Sequence, residues 1–90
     1  MRDILQLKQE FEQRYPDRVV IKIGLYQGNL LINAPYRDIH SGVYGTALFL
    51  VSKETGEEIG PVLYHTDFEG IHKALDLQNV LYYEEWGSIS

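Results

Sequence analysis

The chain has 90 residues, no cysteine, one tryptophan and a formal net charge of −5. It is long enough for one domain, because halves of about 40 residues would need disulfides, metals or a partner to fold. Without cysteine there is no disulfide frame and no thiolate metal site, and 44% hydrophobic against 23% charged residues is ordinary globular composition.

Membrane and nucleic-acid classes are disfavoured next. The longest apolar run, Ala47 to Val51, falls well below the ~18 residues of a spanning helix. Asp3, Lys8, Glu10 and Glu12 crowd the first dozen residues, unlike a secretion signal. A soluble, cytoplasmic protein is expected. Phosphate binding needs clustered Lys and Arg, but 8 bases face 13 acids and no two bases are adjacent.

In chain order, residues 2–15 read as an amphipathic helix. Ile4, Leu7, Phe11 and Tyr15 share one face, Asp3 can cap the start, and Pro16 ends it. Residues 18–34 alternate with a period of two on either side of Gly28-Asn29, which predicts a hairpin with a primed turn there. That turn pairs Leu25 with Ile32 and Ile23 with Ala34. Residues 35–44 form the longest irregular stretch and hold Arg37, Asp38, His40 and Ser41. Loops of this length are often functional.

A second hairpin follows over residues 46–65. Thr46 to Ser52 is apolar on both faces, as in a central strand. Residues 53–58 are the turn, with Gly56 as its left-handed residue. Pro61 confines the return strand to an edge or a bulge. Thr66 and Glu69 then form a capping box for a short helix with Phe68, Ile71 and Leu75 on its buried face. Residues 79–85 read as a last strand, followed by Trp86. The expected fold is a small single α+β domain of order α-β-β-β-β-α-β, a mostly antiparallel sheet with two helices on one face.

Candidate chemistry is sparse. His65, Asp67 and His72 do not supply a metal's three or four convergent ligands, and Asp67 is explained by the start of a helix. Asp38, His40 and Ser41 lie too close in sequence for a nucleophilic triad. Gly42 to Gly45 matches no phosphate-loop pattern. No catalytic residue, cofactor or metal is expected, and the chain is read as no enzyme.

Charge is the informative feature. Residues 1–53 carry seven bases and five acids, a net of +2; residues 54–90 carry one base and eight acids, a net of −7. One electronegative surface of this kind would attract a basic protein partner. Glu57, Glu58, Asp67, Glu69, Tyr82, Glu84, Glu85 and Trp86 are its expected contact residues, since Tyr and Trp among acids resemble interface anchors. The expected function is a small acidic binding module, such as an inhibitor, an immunity protein or a phage-type antagonist, masking a basic partner that handles nucleic acid. Two other readings stay open. One is an accessory subunit or homodimer burying its aromatic strand. The other is a small ligand binder or enzyme using the 35–44 loop.

Overall fold

The computed structural model describes residues 3–36, 47–63 and 67–84. Seven elements follow in order: α1 (Ile4–Arg14), β1 (Lys22–Tyr26), β2 (Asn29–Asn33), β3 (Leu48–Val51), β4 (Glu58–Pro61), α2 (Phe68–Ala74) and β5 (Tyr82–Tyr83). The strands form one antiparallel sheet in the order β4-β3-β2-β1-β5. This is the expected α+β domain with the expected element order.

α1 forms as its sequence directs. The Asp3 carboxylate accepts from the Leu5 N–H at 2.8 Å, which satisfies one of the helix's orphan donors. Leu7 and Phe11 are buried, and Ile4 and Tyr15 pack beside them. Tyr15 leaves helical geometry in front of Pro16.

The first hairpin turns one residue earlier than expected. Gln27 (φ 51°) and Gly28 (φ 80°) take the two left-handed positions of a primed turn. Leu25 therefore pairs with Leu30 and Ile23 with Ile32. Toward the open end, residues 19–21 stand against only residues 34 and 35, between the Lys22–Asn33 pair and the Arg18–Tyr36 bridge. The extra residue is a bulge. It lets Val19 and Val20 both be buried, and the Val20 N–H donates to the Glu12 carboxylate at 2.9 Å.

The expectation of both helices on one face is corrected: the sheet carries one helix on each face. Leu7 and Phe11 of α1 pack on Ile23, Leu30, Ile32, Phe49 and Val51. Ile71, Ala74 and Leu75 pack on Leu31 and Leu48 from the opposite side. The physical reason lies in β2, where Leu30, Leu31 and Ile32 are buried in succession. Side chains of a strand alternate between faces, so a strand buried at consecutive residues needs a layer on both. β2 is the middle strand, and β3 is the expected internal strand, flanked by β2 and β4.

At the sheet's margins the sequence reading is refined. β4 is an edge strand, as Pro61 implied, and Ile59 is the unpaired residue at a register shift. Gly56 does take a positive φ, 78°. β5 is only two residues long, although the N–H groups of Leu81 and Glu84 still donate to Ile23 and Ile21. Asp67, not Thr66, caps α2: its carboxylate accepts from Gly70 at 3.2 Å. Phe68 stays outside the core at 60% exposure, leaving Ile71, Ala74 and Leu75 as the buried face. Gly24 lies beneath the carboxyl end of α2, where a Cβ would run into the Ala74 carbonyl oxygen.

Candidate functional site

The described acids of the second half do not gather into one surface. Glu57 and Glu58 sit at the β3–β4 hairpin on one edge of the sheet, whereas Glu84 follows β5 on the other. Four strand spacings of roughly 4.8 Å put these edges about 19 Å apart. Charges so separated are largely screened at physiological salt, where the Debye length is about 8 Å. Asp67 and Glu69 belong to α2 on the face away from α1. Glu85 and Trp86 lie outside the described residues, as do Arg37, Asp38, His40, Ser41, His65 and Thr66.

Three of these acids have partners within the fold. The Tyr15 hydroxyl donates to Glu58 at 2.6 Å, the Tyr26 hydroxyl to Asp67 at 2.7 Å, and the Tyr82 hydroxyl to Glu84 at 2.6 Å. Tyr82 lies half-buried on the α1 side, with the Lys8 ammonium 5.8 Å from its ring centroid. Glu57 and Glu58 share a cleft of about 550 Å³ with Glu10, Arg14, Thr55 and Gly56. One arginine thus already stands among its three carboxylates.

The tyrosine pairs have a titration consequence. Hydrogen bonds to Glu58 and Asp67, followed by burial, raise the pKa values of Tyr15 and Tyr26 above the ordinary 10.0. Tyr82 is raised chiefly by burial, then by Glu84. A folded-state pKa above the unfolded value contributes stability that is complete below that value and is lost as pH rises through the folded one. Of the seven tyrosines, these three are expected to ionise late in an ultraviolet titration, with unfolding midpoints falling above pH 10.0. A single tyrosinate step at the ordinary pKa would contradict the pairs.

A different surface is built on the α2 face. Lys22 and Asn33 are direct cross-strand partners, and with His72, Leu75, Asp76, Leu77 and Gln78 they line a groove of about 540 Å³. The floor comes from β1 and β2. The wall is the carboxyl end of α2 and a tight turn, in which the Asn79 and Val80 N–H groups donate to the Asp76 carbonyl. Two lining residues make ring contacts beside the groove. His72 stacks on Phe68 with centroids 5.8 Å apart and planes 4° from parallel. The Lys22 ammonium lies 5.9 Å from the centroid of Tyr83. Leu77 is 60% exposed, Tyr83 49% and Leu81 47%. Four large apolar side chains are thus open to solvent within one short segment, Phe68 to Tyr83.

Of the described residues expected at a contact surface, only Asp67 and Glu69 belong to this face. Tyr82 packs toward α1, and Glu84 bonds to it. Sequence reading missed Lys22, Asn33, Phe68, Leu77 and Leu81. The available signal was Leu77, an apolar residue in a turn where neither the helix nor the strand pattern has a place for it. Among the described residues no group of three or more His, Asp or Glu side chains is placed to hold a metal ion, and no helix is long and apolar enough to cross a membrane. No family model, curated protein or solved structure matches the chain.

Proposed function

We propose that this protein is a non-enzymatic, cytoplasmic protein-binding module that docks a basic partner through its α2 face. The observation that carries this reading is the exposure of Leu77 in the groove, with exposed Phe68 and Tyr83 in ring contact with the lining residues His72 and Lys22 and exposed Leu81 in the same segment. Exposed aromatic and leucine side chains with a polar surround make an interface core. The acids have a different role from the one expected of them. Spread over several places, they do not form a contact site, yet a net charge of −5 still steers a basic protein and raises its association rate. Glu69 and Asp76 lie within reach of the docking core and tune that rate.

The test is a double variant, Phe68→Ser with Leu77→Ser. Both side chains are exposed, so its unfolding free energy in urea should stay within about 0.5 kcal/mol of wild type. A basic protein recovered from the native host by wild type should be lost by the variant. Its association with purified wild type should slow as salt rises. Equal recovery by both forms would overturn the reading, and a tight, salt-insensitive homodimer in sedimentation would replace it.

A further inference from the structure

We propose that the groove at the carboxyl end of α2 is a binding site for a small organic anion, its oxyanion group on Lys22 and Asn33 and its apolar body against Leu75 and Leu77. The inference does not depend on a protein partner. It starts from an imbalance of hydrogen-bonding groups. Four half-buried carboxylates among the described residues have partners within the fold: Glu12 in Lys8 and the Val20 N–H, Glu58 in Tyr15, Asp67 in Tyr26 and Gly70, Glu84 in Tyr82. Lys22 and Asn33 are equally half-buried. Yet among the described residues Lys22 has no carboxylate partner, only the Tyr83 ring, and the Asn33 amide makes no side-chain hydrogen bond.

These two donors face one space. Directly opposed residues of an antiparallel pair project to the same side of the sheet, and both line the groove. The His72 ring and the Gln78 amide add donor capacity around it. Among the described lining residues there is a single carboxylate, Asp76, which accepts from the Gln78 N–H at 2.9 Å. It stands beside four donor-bearing side chains, Lys22, Asn33, His72 and Gln78, in a protein that is acidic as a whole. A charge-assisted hydrogen bond to a carboxylate or phosphate oxygen is the interaction such a pair is suited to make. Leu75 and Leu77 supply apolar wall, and a volume of about 540 Å³ is in the range of small-molecule sites.

Nuclear magnetic resonance titration of the whole chain tests this, with benzoate, inorganic phosphate and benzylamine as probes. Benzoate should shift the amides of Lys22, Asn33, His72 and residues 75–78 saturably. Phosphate should shift the same amides more weakly, and benzylamine should leave them unmoved. Lys22→Met should weaken benzoate at least about tenfold, the loss of one charge-assisted hydrogen bond. Leu77→Glu, at an exposed position that does not threaten the fold, should weaken it comparably by placing a like charge at the rim. Binding of benzylamine as tight as benzoate, or benzoate binding untouched by both variants, would overturn the proposal. So would the absence of any saturable shift. Phosphate binding as tightly as benzoate would remove the apolar half of the assignment.

Discussion

Phe49→Ala is expected to cost about 3–5 kcal/mol in urea unfolding, the usual range for a phenylalanine deleted from a core. Phe49 is 8% exposed on β3, with strands on both sides. Its ring centroid lies 5.3 Å from Phe11 and 5.8 Å from Tyr15, so it joins the sheet to the end of α1. It also meets a buried cation. The Arg18 guanidinium sits 4.8 Å from the Phe49 centroid and 4.2 Å from that of Tyr36, while its Nη1 donates to the Ala34 carbonyl at 2.8 Å. Truncation to alanine opens a cavity and leaves a buried cation with one aromatic face instead of two. For a domain with roughly 5–15 kcal/mol of total stability, that is a large share. Phe49→Leu keeps most of the volume and should cost less than about 1.5 kcal/mol. A loss below about 1 kcal/mol for the alanine variant would remove Phe49 from the core assigned to it.

Local signals in the sequence were reliable where the structure is itself local. The spacing of Leu7, Phe11 and Tyr15, with Asp3 before and Pro16 after, placed α1. The alternation around Gly28 placed the hairpin. Its register slipped because moving the turn by one residue shifts every pair by two, which leaves each side chain on its original face. Leu25 opposite Ile32 or opposite Leu30 looks the same to an apolar pattern. Only the left-handed backbone at Gln27 distinguishes them.

The helix placement was legible but read incompletely. Apolar residues on both faces of Thr46 to Ser52 already implied cover on both sides, and Leu30, Leu31 and Ile32 repeat the message. The distribution of charge was a different case. A run of acids late in the chain says nothing about which strand lies beside which. β5 returns to pair with β1 rather than with its sequence neighbour β4, and that non-local choice puts Glu58 and Glu84 at opposite edges. The groove was out of reach for the same reason. Lys22, Asn33 and the 72–78 segment meet only because β1 and β2 pair and α2 then lies across them.

Gly24→Ala should destabilise the protein by about 3 kcal/mol, with the loss confined at first to α2. At an ordinary strand position the same change is neutral or favourable by about 0.4–1 kcal/mol, because alanine restricts the unfolded chain. Gly24 has no left-handed backbone to protect, so conformational strain does not distinguish the two cases. What does is the Ala74 carbonyl, which occupies the place of the missing Cβ. That carbonyl is backbone and cannot swing aside as a flexible side chain could. α2 must therefore lift, and it is ill equipped to survive lifting. Seven residues are far below the length at which an isolated helix holds in water. Its stability comes from Ile71, Ala74 and Leu75 against the sheet and from the Asp67 cap with its Tyr26 bond. Hydrogen exchange should accordingly quicken at residues 71–75, while Ile23, Ile32 and Phe49 on the other side keep their protection. Because the groove wall is the end of α2, its titration by benzoate should weaken in the same variant. A variant as stable as wild type with α2 fully protected would show that the helix does not rest on Gly24, and the groove geometry would have to be redrawn.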